Sequence, residues 1–353
     1  MAVNRKRLVF FERWFDPVAE QILSAQEDIE LVRLHYADAM DETWGALSAA
    51  CGYQVSARTE LTPPWFGDGA LLARCPRLLA MSSTGAGYDV IDVAACTDAG
   101  VLVVNQSGTN SEPVAEHAIG LILSLSKRIG LTNRSLLKGT ANDRYAMIGN
   151  DIKGKTLGIV GIGQIGRLTS KYANAFDMRV LAYDPYLTAQ QIAERGASKV
   201  EFGTLLAESD FVTVHCPRNA ETLGMFGTAE FAQMKPTAHF INTARGMIHQ
   251  EDALLAALLA KQIAGAGIDV FDVEPPPQDH PLLLLDNVVA TPHIAGATFE
   301  ASHNMSKAAA EQWIALLRGR VPPRLVNPEA WPLYSDRFEA IIGYRPDALA
   351  ERA

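Results

Sequence analysis

Short runs of apolar residues alternate with segments of helical period along almost the whole chain. Leu8-Val9-Phe10-Phe11 reads as a buried strand, and a helix-period segment follows over 17–25. Further strand-like runs stand at 31–34, 78–81 and 101–104, the last two separated by a helix pattern over 91–99. The middle of the chain repeats this grammar. Thr156-Leu157-Gly158-Ile159-Val160 leads into a glycine-rich turn and a helix, and strands are predicted at 179–183, 211–214, 239–242, 268–270 and 288–290. Strands alternating with helices imply right-handed βαβ units and a parallel sheet. Two longer helices, over 112–128 and 300–317, flank the middle block, the first with Pro113 in its opening turn, where proline is favoured. The expected fold is α/β: two doubly wound Rossmann-like domains, one inserted into the other. The outer domain comprises 1–107 and 294–353, and the inserted one 108–293. The tail from Val321, rich in proline and aromatics, is expected to pack as an extended arm.

A length of 353 residues fits two domains, and 48% apolar with 20% charged residues is an ordinary globular composition. Lys+Arg 31 against Asp+Glu 40 gives a net charge of −9, which disfavours a nucleic-acid-binding surface, because phosphates need clustered cations. Cys51, Cys75, Cys96 and Cys216 are scattered with no C-x-x-C pair, which excludes a disulfide framework or a cysteine-rich zinc site and suits a reducing compartment. The basic run Arg5-Lys6-Arg7 precedes only four apolar residues, too few for a secretory signal. The longest apolar stretch, over 114–125, holds Glu116 and His117 and is too short to span a membrane. A cytoplasmic protein is expected, without nucleic acid, membrane or metal.

Gly161-Ile162-Gly163-Gln164-Ile165-Gly166 matches G-x-G-x-x-G between a predicted strand and helix. Gly161 gives the tight turn, Gly163 lets the backbone approach a pyrophosphate, and Gly166 permits close helix–strand packing. Gln164 and Ile165 open the helix, whose N-terminus offers free N–H donors to phosphate. Asp184 ends the next strand, 18 positions after Gly166, where an acid meets the ribose hydroxyls. A carboxylate there repels a 2′-phosphate, so NAD is expected over NADP; Arg179 and Lys199 are not adjacent to it. Arg245, Glu274 and His293 follow predicted strand ends, the edge where doubly wound sheets bind ligands.

These motifs, with Ser83-Thr84-Gly85-Ala86-Gly87-Tyr88-Asp89 and Pro113-Val114-Ala115-Glu116-His117, resemble the NAD-dependent D-isomer-specific 2-hydroxyacid dehydrogenases. Tyr183-Asp184-Pro185-Tyr186 is similar to the 3-phosphoglycerate-dehydrogenase-like branch. The resemblance implies that the inserted domain binds NAD(H) and the outer one binds substrate. It implies hydride transfer between a small D-2-hydroxy acid and its 2-oxo acid, such as 3-phosphoglycerate, hydroxypyruvate or glyoxylate. Arg245 would hold the carboxylate and carbonyl with its planar fork, and His293 would be the general acid and base. Glu274 would accept from the other ring nitrogen of His293 and fix its tautomer. Ser111, Cys216, Pro217, Thr243 and Asp269 would border the cofactor, and the loop Gly85-Ala86-Gly87 would bind the substrate carboxylate.

The chain departs from the pattern at Met247, where the family commonly has glycine. Arg58 matches one of two phosphate-reading arginines, but Ser56 stands at the other position. Too little chain follows the last long helix for the regulatory domain of many phosphoglycerate dehydrogenases, so serine feedback is not expected. A homodimer is implied through the helix at 112–128, with Val114, Ile119, Leu121, Ile122 and Leu125 apolar on more than one side. His117 on that helix either packs or lines the cleft; His35, His249 and His303 read as surface or packing residues. Two alternatives share the fold. NAD-sensing corepressors keep the same three chemical residues, and formate dehydrogenases carry glutamine where this chain has Glu274.

Overall fold

The computed structural model describes residues 5–56 and 60–349. The chain begins with β1 (Lys6–Phe11), α1 (Val18–Ser24), β2 (Ile29–Leu34), α2 (Met40–Ser48), β3 (Gly52–Val55), α3 (Gly69–Arg74), β4 (Ala80–Ser83), α4 (Val93–Asp98) and β5 (Leu102–Val104). Then come α5 (Ser111–Ser126), α6 (Ile129–Leu137), β6 (Thr156–Val160), α7 (Gln164–Ala175), β7 (Arg179–Tyr183), α8 (Ala189–Ala193), β8 (Ser198–Lys199), α9 (Phe202–Glu208) and β9 (Phe211–Val214). The remainder is α10 (Thr228–Gln233), β10 (His239–Asn242), α11 (Glu251–Leu259), β11 (Gly265–Ile268), β12 (Val288–Ala290), α12 (Phe299–Leu317) and α13 (Trp331–Ile342). The chain divides into two compact units, 1–110 with 298–353 and 111–297.

The first unit holds a parallel sheet in the order β2-β1-β3-β4-β5. Successive residues of β1 serve opposite faces, as the pleat requires: Leu8 and Phe10 join one core with Trp313 and Trp331, and Val9 and Phe11 another with Trp44 and Trp65. Trp313 of α12 is fully buried and donates its Nε1–H to Gln54 Oε1 of β3 at 2.7 Å. The proline-rich tail is not an extended arm but a helix, α13. Pro332 sits in its first turn, where no backbone hydrogen bond is lost, and Trp331, Tyr334 and Phe338 recur at helical spacing on its buried face. Arg337 ties the helix to the carbonyls of Pro76 and Leu78 at 2.9 and 2.8 Å.

The second unit holds a parallel sheet in the order β12-β11-β10-β9-β6-β7-β8. One core includes Ile119, Ile122, Ile159 and Ile241, and the other includes Val160, Val212, Phe226 and Phe240. The strand expected at 268–270 is β11, Gly265–Ile268, which ends sooner. Two glycines hid it from a hydrophobic reading. A Cβ at Gly267 would lie 3.0 Å from Leu121 of α5, so the bare backbone there lets the helix close on the sheet. No helix among the described residues is long and apolar enough to cross a membrane.

Candidate active site

The sheet of the second unit reverses its strand order between β6 and β9, so a crevice opens beyond their C-terminal ends, where such sheets take ligands. The glycine turn lies there. Gly161 has φ +85°, and a Cβ on it would stand 2.8 Å from the Cys216 nitrogen. A Cβ on Gly166 would meet the Gly161 carbonyl oxygen at 2.4 Å. At Gly163, immediately before α7, a Cβ would meet nothing within 4 Å. Two of the glycines thus close the turn, and the third leaves its outer side open for a phosphate to approach the helix N-terminus, where Gln164 and Ile165 begin α7.

Asp184 follows β7 and accepts the Ile162 N–H at 3.2 Å and the Tyr186 N–H at 3.1 Å. The acid therefore reaches the turn itself. Arg195, which sequence reasoning passed over, donates to the Ile162 carbonyl. The Ile162 peptide is gripped at both ends. Arg195 follows α8 and belongs to no motif, so only the folded chain reveals it. Thr243 is buried after β10, and its hydroxyl has no hydrogen-bond partner among the described residues. An orphaned hydroxyl at a strand end and the open side of Gly163 both fit a dinucleotide. Cys216 is half-buried beside Gly161, and burial pushes its thiol up to about 11, which keeps it protonated; Pro217 after it is exposed. Ser111 is buried at the start of α5.

His293 and Glu274 come together from separate loops: His293 Nδ1 lies 2.8 Å from Glu274 Oε2. Glu274 Oε1 accepts the Phe271 N–H at 3.0 Å. Burial pushes the Glu274 carboxyl up. The bond and charge of His293, the Phe271 N–H and the nearby Arg245 charge outweigh that and hold it below its ordinary value. Arg245 is half-buried on the loop after β10 and is close enough for its charge to act on Glu274. Asn242 holds that loop by donating to the Arg245 carbonyl at 2.9 Å. Met247 has φ +64°, a left-handed backbone, which accounts for the glycine common there in the family. The Asp272 carboxylate steadies it by accepting the Met247 N–H at 2.6 Å.

Asp269 follows β11 and is fully buried. Its carboxylate accepts from Thr291 Oγ1 at 2.6 Å and from the N–H groups of Ile294 and Ala295 at 2.9 and 3.0 Å. In this structure Asp269 shapes the loop that carries His293. His117 contacts Thr291 Oγ1 at 2.9 Å, so it belongs to the same hydrogen-bonded group.

In the first unit, the loop Gly85-Ala86-Gly87 follows β4. Its carbonyls point inward: Gly85 accepts from Gln106 N, Ala86 from Asn105 Nδ2 and Gly87 from Ser83 Oγ. That leaves the Ala86 and Gly87 N–H groups unspent among the described residues. A cavity of about 330 Å³ lies at the C-terminal ends of β1, β2 and β3, lined among the described residues by Glu12, Arg13, Tyr36, Ser56 and Glu60. Arg58, the candidate phosphate reader, lies outside the described residues.

The NAD binding domain of the D-isomer specific 2-hydroxyacid dehydrogenases matches residues 119–295. A D-3-phosphoglycerate dehydrogenase of Archaeoglobus fulgidus is 40% identical over 260 residues, covering 74% of this chain and 49% of that protein. The chain thus spans about half the length of that relative. A glyoxylate reductase of Thermofilum pendens is 40% identical over 268 residues, covering 74% of this chain and 78% of that protein. Among solved structures, the D-lactate dehydrogenase of Aquifex aeolicus complexed with NAD and lactic acid superposes with a TM-score of 0.78 at 27% identity, covering 90% of this chain and 98% of that one. Sequence relatives, shared fold and the matched domain agree: the chain belongs to the D-isomer specific 2-hydroxyacid dehydrogenase family, whose NAD-binding domain it carries.

Proposed function

We propose that the protein interconverts a small D-2-hydroxy acid and its 2-oxo acid, with His293 as general acid and base, Glu274 orienting it and Arg245 binding the substrate carboxylate and carbonyl. The observation that carries this reading is the His293–Glu274 pair, 2.8 Å apart, with the Arg245 charge acting on the same carboxylate. An ionised Glu274 accepts a hydrogen bond from Nδ1–H, so Nε2 is the nitrogen that serves the substrate oxygen. In reduction, His293 gives its Nε2 proton to the oxygen as the carbonyl becomes an alkoxide, and Nε2 of the neutral imidazole takes a proton back in oxidation. Arg245 stabilises the charge that gathers on the oxygen. Bound NADH supplies the hydride to the carbonyl carbon. Gly163 and the start of α7 would hold its pyrophosphate, Asp184 its ribose, and Ser111, Thr243, Cys216 and Pro217 would border it. The Ala86 and Gly87 N–H groups would hold the substrate carboxylate.

A short, unphosphorylated acid such as glyoxylate or hydroxypyruvate suits the chain better than 3-phosphoglycerate. Among the described residues, the cavity at the substrate unit's strand ends carries two carboxylates, Glu12 and Glu60, against one guanidinium, Arg13, a balance that disfavours a phosphate. The test is NADH and NADPH oxidation with glyoxylate, hydroxypyruvate, pyruvate, phenylpyruvate and 3-phosphohydroxypyruvate. His293→Ala is expected to lower kcat by about 10²–10⁴. Wild-type protein that binds NADH yet turns over no acid would overturn the reading and favour the sensor class. Glu274 at the position of the formate dehydrogenase glutamine disfavours that activity.

A homodimer through the NAD-binding unit belongs to the same proposal. Val114, Ile119, Leu121, Ile122 and Leu125 are already buried within their own unit, so they do not argue for a partner. The argument lies beside them: α6 buries none of its residues and exposes Leu136 by 70% and Leu137 by 81%, with Tyr145 exposed by 86% nearby in sequence. Light scattering should give twice the chain mass, and Leu136→Glu with Leu137→Glu should halve it. Free, unpaired cysteines fit the cytoplasm.

A further inference from the structure

His293 occupies a backbone conformation that a non-glycine residue rarely adopts. Its φ is +53°, and such a residue costs about 1–3 kcal/mol unless its surroundings fix it. One residue does most of the fixing. The His293 N–H donates to the Asp269 carbonyl at 2.7 Å and to the Thr291 carbonyl at 3.1 Å. The next two N–H groups, of Ile294 and Ala295, go to the two oxygens of the Asp269 carboxylate. Three successive donors of the turn thus converge on Asp269.

What orients Asp269 is the contact from Thr291. Both carboxylate oxygens already accept backbone N–H groups, so the 2.6 Å Oγ1···Oδ1 contact is closed by the Thr291 proton. A hydroxyl has one proton. With it committed to Asp269, Thr291 Oγ1 can only accept from His117 Nε2, which stands 2.9 Å away, and His117 must therefore carry a proton on Nε2. Its Nε2 is also 3.8 Å from Asp269 Oδ1. A hydrogen-bonded line runs from α5 through a hydroxyl and a buried carboxylate to the backbone of His293.

We propose that His117 and Thr291 are positioning residues: they hold the Asp269 carboxylate in the orientation that seats His293 in its left-handed turn. The proposal rests on the reading of His293 as the general acid. It assigns work to a histidine that pairs with Thr291 and lies beside Asp269. It also explains why the threonine lies two residues before His293, within reach of both partners.

The test compares His117→Phe, which keeps a ring but no donor, with His117→Gln, whose amide can still donate. In His117→Phe, kcat with the best 2-oxo acid should fall at least tenfold. NADH affinity, read by fluorescence titration, should change less than threefold. His117→Gln should recover most of the loss, and Thr291→Val should match His117→Phe. Unchanged kcat in His117→Phe, or equal loss in both His117 variants, would overturn the proposal. Ring 15N spectra of the wild type give a reading independent of turnover. A protonated Nε2 on His117 is expected, and an unprotonated one would overturn the network. Should the wild type turn over no 2-oxo acid, the dehydrogenase reading fails on its own, while the 15N spectra still decide the proton assignment.

Discussion

The two units are built alike and furnished differently. Each is a parallel sheet with helices on both faces, yet the strained and titratable features gather in one. Among the described residues, the first unit has one non-glycine residue at positive φ, Glu12, whereas the NAD-binding unit has Arg128, Asp177, Met247, Lys261 and His293. Two of those five sit on the loops that carry Arg245 and His293. Histidines follow the same division. His35 and His303 of the first unit are about half exposed, whereas burial pushes His215 down to about 3, and His239 and His249 to about 4, in the other unit. The NAD-binding unit tolerates backbone strain and buried imidazoles that the other unit avoids.

Acid should expose this contrast most strongly. A histidine whose folded pKa lies below its unfolded value of 6.5 takes up a proton more readily when unfolded, so stability is present above pH 6.5 and drains away as pH falls toward the folded value. Each such group contributes up to about 1.4 kcal/mol per pH unit in that window. The three together should cost the NAD-binding unit roughly 3 kcal/mol per unit between pH 6.5 and about 4, with the partly exposed rings giving less. Calorimetry at pH 7.5 and 5 should show the transition assigned to residues 111–297 falling further than the other; equal falls would remove the contrast.

A pair of glycine substitutions sharpens it. Gly166→Ala forces a Cβ to 2.4 Å from a backbone oxygen and should destabilise by about 3 kcal/mol, whereas Gly85→Ala meets nothing within 4 Å and should leave the melting temperature unchanged. The first unit has its own electrostatic anchor in Asp28. The Arg318 bond lowers the carboxyl to about 2 against the cost of burial, with the Arg318 and Lys6 charges adding to it. A depressed carboxylate stabilises above about pH 3.8 and loses that contribution as pH falls through about 2. Solvent screens the pair, so Asp28→Asn should cost about 1 kcal/mol at pH 7 in a denaturant titration and nothing near pH 2. The smallest non-zero effect belongs to Met247→Gly, which relieves a left-handed backbone at an exposed side chain and should stabilise by about 0.5 kcal/mol.

Much of the architecture was legible because strands buried on both faces leave unbroken apolar runs, as Thr156–Val160 does. The tail was misread because prolines and aromatics suggested an arm, although Trp331, Tyr334 and Phe338 already fell on one helical face. At the candidate site, the strand-end motifs of Arg245, Glu274 and His293 were legible, and the fold places Glu274 against His293 with the Arg245 charge acting on the same carboxylate. The left-handed backbones of His293 and Met247 were not, since neither residue type advertises a positive φ. The link from His117 to Thr291 was invisible for another reason: it joins positions far apart in the chain through hydroxyl and carboxylate contacts that only the closed fold creates. Arg195 escaped notice likewise, because its carbonyl partner lies on the glycine turn rather than beside it in sequence.

The buried Trp313 has a consequence for synthesis on the ribosome. It belongs to α12, and with α13 it completes a core that β1 and β4 begin near the other end of the chain. The NAD-binding unit is one continuous stretch and can close its cores as soon as residue 297 has emerged. The first unit must keep its first half open, with one face of β1 uncovered, until α12 arrives. During that wait the nascent chain presents Leu8, Phe10 and Leu102 to water and to other chains, so the interval between the two halves is when a chaperone would have most to hold.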